Sequence, residues 1–119
     1  MDYEHIMITL PSNIEWVEYE KELEKASKGE ILNFKVPTLP TKITIGSSRC
    51  YVVHRSNVIG YMIINNLSNK EFKCTTTGKE YVGKFVERTG KFFYLDRPYS
   101  MKGFQGFRYL NKAQKIILL

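Results

Sequence analysis

Arg49-Cys50-Tyr51-Val52-Val53-His54 and Asn57-Val58-Ile59-Gly60-Tyr61-Met62-Ile63-Ile64-Asn65 are two β-branched, aromatic-rich runs parted by Arg55 and Ser56. Such runs, bounded by turn-forming residues, read as the two strands of a hairpin over 49–54 and 57–65. The same pattern extends through most of the chain. Residues 31–36, 71–76, 81–88, 91–95 and 106–110 are further short strands, with turns at Thr77-Gly78-Lys79 and Arg88-Thr89-Gly90-Lys91. Seven short strands at close spacing predict a curled sheet or small barrel, which limits exposed edges. Pro37 and Pro40 bracket a stiff loop that carries Thr38, Thr41 and Lys42.

Upstream of Gly29 the period is helical. Ser12 and Glu15 have the spacing of a capping box, and Ile14, Val17, Tyr19, Leu23 and Ala26 recur on one face, so a helix is expected over 13–28. Gly29 is placed to end it. Residues 1–10, including His5, carry no structural signal. The fold class is therefore α+β: a small curled or barrel-like, mostly antiparallel sheet with one N-terminal helix packed on it, in a single domain over 1–119.

Charge is divided as sharply as periodicity. Residues 1–30 hold eight acids and three bases, whereas 31–119 hold four acids and fifteen bases, a net +11 within a total of +6. A basic body interleaved with rings attracts polyanions and favours nucleic acid or phosphorylated small molecules. A basic surface that only confers solubility is the competing explanation. Two cysteines without a C-x-x-C pair point to a reducing, cytoplasmic setting, and no apolar run approaches the roughly 20 residues of a membrane span.

The densest constellation is Lys102-Gly103-Phe104-Gln105-Gly106-Phe107-Arg108-Tyr109. Its rings stack bases, Gln105 reaches base edges, and Lys102 and Arg108 hold phosphate. In a straight strand Gln105, Phe107 and Tyr109 share one face and Arg108 the other, so the eight cannot all line one site; one set of rings filling the core is the structural alternative. Arg49, Arg55, Lys84, Arg88 and Lys91 form a candidate basic rim at strand ends, with a solvated face as the commoner outcome. Cys50, His54 and Cys74 offer three ligand types of unset geometry, and no metal, cofactor or catalytic residue is assigned.

The Ile45-Gly46 turn, the strand Arg49-Cys50-Tyr51-Val52-Val53, its return through Val58-Ile59-Gly60-Tyr61, and the closing Gly83-Lys84-Phe85-Val86 and Gly103 to Tyr109 segments resemble the PUA-like superfamily, in particular ASCH-type small β-barrels. The resemblance covers roughly residues 31–110. It implies a cleft beside the barrel that takes RNA, modified bases or nucleotides. The leading expectation is thus a nucleic-acid or nucleotide-binding module whose contacts are Lys42, Arg49, Arg55, Lys102, Phe104, Gln105, Phe107, Arg108 and Tyr109. Hydrolysis of a modified nucleoside, with Lys42 and a carboxylate converging, and a protein-interaction domain with an apolar patch are the alternatives.

Overall fold

The structure is a computed structural model that describes residues 3–73 and 80–119. Its elements are β1 (Ile6–Thr9), α1 (Trp16–Ser27), β2 (Leu32–Val36), β3 (Arg49–His54), β4 (Asn57–Lys73), β5 (Glu80–Arg88), β6 (Phe93–Ser100), β7 (Phe107–Tyr109) and α2 (Lys112–Leu118). The α+β class and the curled, mostly antiparallel sheet stand as expected. The strand order is β2-β5-β4-β3-β1-β7, with β6 also pairing β4. The one parallel pair among the described strands is β1 with β3.

The curl originates in β4. This 17-residue strand pairs β3 and β6 over its first half and β5 over its second, and its ladders slip at Val58/Gly60 and Ile64/Asn66. Each slip inserts an extra residue that bends the strand and increases its twist, so one strand serves both halves of a half-barrel. The strands expected separately at 57–65 and 71–76 are joined in the structure, where 71–73 continue β4. Cys74 and the turn at 77–79 lie outside the described residues.

Both faces of β1 and β3 are covered. Ile6, Ile8, Cys50 and Val52 join Tyr19, Leu23 and Ala26 of α1 in the larger core, and Met7, Tyr51 and Val53 join Leu110 and Leu118 beside α2 in a second. A strand buried on both faces is a continuous apolar run without alternation. That is why Ile6-Met7-Ile8-Thr9, read from sequence as unstructured, is a central strand. His5, placed in the same unstructured start, is buried at its head.

The helix expected at 13–28 begins at Trp16, and the Ser12–Glu15 box does not form. Glu15 is the N-cap residue but makes no side-chain cap bond. Arg55 binds this segment instead, donating from Nε to the Ser12 backbone carbonyl at 3.1 Å and from Nη2 to the Glu15 carboxylate at 2.9 Å. A tertiary ion pair thus engages the Glu15 carboxylate that a box would need. Val17, expected on the packed stripe, is 59% exposed. Gly29 ends the helix as expected, at φ 106°. The second helix was not anticipated, although its signal is in the sequence: Asn111 accepts from the Gln114 N–H and the Gln114 side chain accepts from the Asn111 N–H, both at 2.8 Å.

The loop over 37–44 crosses from β2 toward β7. Tyr109 holds it, its hydroxyl accepting from the N–H groups of Thr41 at 2.9 Å and Lys42 at 3.1 Å. Among the described residues no helix is long and apolar enough to cross a membrane.

Candidate nucleic-acid interface

At the C-terminal ends of β1 and β3 the hairpin turn is made by Arg55 and Ser56, both with positive φ (48° and 67°). Two left-handed residues match the twist of a tight hairpin, but neither is glycine, so the turn carries local strain held in place by the Arg55 contacts. Opposite it, residues 103–106 form the other wall of an open groove of about 500 Å³ that also includes Thr9 and Ser12. Gly103 is needed there because a Cβ would meet the Thr9 methyl at 2.9 Å. The Thr9 hydroxyl accepts from the Phe104 N–H at 3.2 Å. The Phe104 ring carries the Arg108 guanidinium 4.7 Å from its centroid. Arg55, Phe104, Gln105 and Arg108 thus gather at this end, with Lys102 exposed next to them.

Arg49 lies at the opposite end of β3, on the order of 15–20 Å away at the rise of an extended strand. Its guanidinium sits 4.4 Å from the Tyr61 centroid and donates to the Tyr51 hydroxyl at 2.9 Å. Tyr61 stacks on Phe93 across β4 and β6 (5.0 Å, interplanar 16°), and the Lys91 ammonium lies 5.2 Å over Phe93. The result is a ladder of Arg49, Tyr61, Phe93 and Lys91, with a cation at each end of two stacked rings. Pairing makes it: Tyr61 opposes both Tyr51 and Phe93, so the three rings project from one sheet face. A pocket of about 330 Å³ beside it is lined by Tyr3, His5, Ser47, Ile63 and Leu119 together with ladder residues.

The nine expected contacts therefore do not share one cleft. Lys42 and Tyr109 sit together, the ammonium 5.7 Å from the ring centroid, but the Tyr109 hydroxyl is engaged by the loop. Phe107 packs edge-on against Tyr109 at 5.4 Å and borders the larger core. Arg88, expected in a basic rim, is 2% exposed; it follows Val86 onto the inner face of β5 and donates to the Tyr19 hydroxyl at 3.0 Å. Tyr61 and Phe93 were not singled out from sequence, because only strand register tells which rings become neighbours.

Other titratable groups are engaged in structure. Burial pushes the Cys50 thiol up to about 11, and the His54 ring is bonded through Nε2 to the Ile14 carbonyl at 2.7 Å. Burial acts to raise the Glu87 carboxyl, but hydrogen bonding and the Lys70 ammonium, 3.1 Å away, outweigh it and leave it low. No carboxylate of the described residues pairs with Lys42; Glu4, whose N–H bonds the Lys42 carbonyl, gives its carboxylate to Lys115.

His5 ties this end of the sheet together. Its Nδ1 accepts from the Arg49 N–H at 2.9 Å, and burial, reinforced by the Arg49 charge, lowers its pKa from 6.5. The unfolded chain therefore takes the proton first. Stability is full above pH 6.5 and falls as pH drops from there toward the folded-state value. Urea midpoints between about pH 7.5 and 5 should decline in the wild type and stay level in His5→Phe, whereas parallel curves would remove His5 as the source. Glu4, held low chiefly by the Lys115 hydrogen bond, acts in a separate window, its contribution being lost only below about pH 4.5.

No family model, no curated protein and no solved structure matches the chain.

Proposed function

We propose that this protein is a binding module for single-stranded nucleic acid, RNA foremost, in a reducing, cytoplasmic setting, and that the PUA-like, ASCH-type resemblance carries this role beside the half-barrel. The observation that supports the reading is the Arg49, Tyr61, Phe93, Lys91 ladder. Phe93 is 38% exposed, and the cation over it is an exposed lysine on a flexible stem. A base stacks on Phe93 as Lys91 swings out to the adjoining phosphate, and the ring contact is tolerant of sequence because every base has a π-face. The groove with Arg55, Lys102, Phe104, Gln105 and Arg108 provides a second set of ring, amide and cations for the same strand.

Binding of short RNA and DNA oligomers, measured by fluorescence anisotropy at two salt concentrations, tests it. Affinity is expected to fall steeply with salt, and Phe93→Ala with Lys91→Ala to cost about tenfold or more from the lost stack and charge. Lys102→Ala with Arg108→Ala should weaken all sequences alike. Absence of salt-sensitive binding to any oligomer overturns the proposal.

A further inference from the structure

Beside the ladder, the pocket of about 330 Å³ is at the small end of the roughly 300–1,000 Å³ typical of ligand sites, a size for one planar group rather than a strand. Its apolar walls are Tyr61, Ile63, Phe93 and Leu119. Its polar side chains are Tyr3, His5, Ser47 and Arg49, none of them a carboxylate.

His5 decides the polarity of the pocket. The side chain is 8% exposed, and its Nδ1 is committed as an acceptor to the Arg49 N–H. The neutral ring must then carry its proton on Nε2. No described residue accepts from that N–H, and it is not sealed from solvent, so it remains available on the side of the pocket that His5 lines. Arg49 adds donors: one guanidinium N–H reaches the Tyr51 hydroxyl, and the fork retains others. The Ser47 hydroxyl is exposed at the rim. A planar ligand that stacks on the ladder and turns its edge inward therefore meets a surplus of donors. An edge with carbonyl oxygens satisfies them, whereas an exocyclic amino group adds a donor where acceptors are few.

Building on the nucleic-acid reading above, we infer that this pocket selects uracil, whose edge carries carbonyls and no exocyclic amino group, over cytosine and adenine. Its His5 Nε2–H and Arg49 guanidinium donate to the base carbonyl, and Tyr61 and Phe93 supply the stacking wall.

The test compares octamers of uridine, cytidine and adenosine and a guanosine-containing octamer by anisotropy at one low salt concentration. Uridine and cytidine differ at C4 as carbonyl against amine, so they isolate the edge. Uridine is expected to bind about tenfold tighter than cytidine. His5→Phe, checked for folding by circular dichroism, should reduce that ratio to under about threefold. Ser47→Ala, at an exposed position that cannot cost the fold, should narrow it in the same direction. Equal, salt-sensitive binding of all four oligomers overturns this inference and leaves the nucleic-acid reading standing. So does a preference for adenosine or cytidine, or a uridine preference unchanged in both variants. No binding to any oligomer overturns the nucleic-acid reading itself.

Discussion

Gly60→Ala is expected to be the most damaging single-methyl change in the described chain, lowering stability by about 3 kcal/mol or more. Gly60 lies where β4 is flanked by β3 and β6, opposite Val52 on one side and Tyr94 on the other. A Cβ there would collide with the Phe93 backbone carbonyl oxygen and come within 2.6 and 2.8 Å of the Phe92 ring. Phe92 is itself 8% exposed and packs against Trp16 at 5.9 Å, so the ring has little room to yield. The backbone oxygen cannot move without unpairing β6. Thermal unfolding by circular dichroism should show a midpoint drop on the order of 10 °C. Gly90→Ala is the control, since its added methyl meets nothing within 4 Å and costs only the strain of φ 90°. If Gly60→Ala is no worse than Gly90→Ala, the close approach of β6 to β4 is not as described. Because Phe93 belongs to the ladder, the same variant should also lose the nucleic-acid binding proposed above.

The second large effect is an inversion at the buried pair of Arg88 and Tyr19. Arg88 is held within the larger core with Nη1 donating to the Tyr19 hydroxyl at 3.0 Å, and its Nε has no hydrogen-bond partner. Desolvation acts to lower its pKa, but the Tyr19 and Cys50 groups outweigh it and the side chain stays charged. Removing the acceptor leaves a charge with less to bind, whereas removing the charge leaves only a tyrosine hydroxyl to satisfy. Tyr19→Phe should therefore cost about 2–3 kcal/mol, and Arg88→Met less than that or nothing. The double variant should resemble Arg88→Met rather than the sum, with urea midpoints giving the coupling. A larger loss in Arg88→Met than in Tyr19→Phe would show that the guanidinium contributes more to this core than its single hydrogen bond accounts for.

These cases show where local pattern carries and where it stops. Tyr19, Leu23 and Ala26 recur at helical spacing and are the buried face of α1. The limits of β3 are legible in the sequence, because an apolar run ending in Arg55-Ser56 is bounded by its own chemistry. Asn111 and Gln114 have the spacing of a capping box that does form, in contrast to Ser12 and Glu15, which have the same spacing but form no box, the Glu15 carboxylate being paired with Arg55 from 40 residues away. Local spacing proposes a cap, and a long-range partner can engage one of the groups it needs.

The interface divides the same way. Arg49, Arg55, Phe104, Gln105 and Arg108 were legible as cations, rings and amide suited to nucleic acid, and the concentration of positive charge after residue 30 was plain in composition. Their distribution over two ends of the sheet was not legible, nor was the company of Tyr61 and Phe93, or the inward turn of Arg88. A strand's period of two states only that alternate residues share a face; which face is buried, and which cross-strand neighbour stands beside it, is set by pairing. By itself the sequence determined the helix period, the hairpin at Arg55-Ser56 and the basic aromatic character of the body, all properties of residues close along the chain. Only the tertiary structure decided that β1 enters the centre of the sheet, that Arg88 is core, and that Arg49 meets two rings and a buried histidine, because each depends on contacts between segments tens of residues apart.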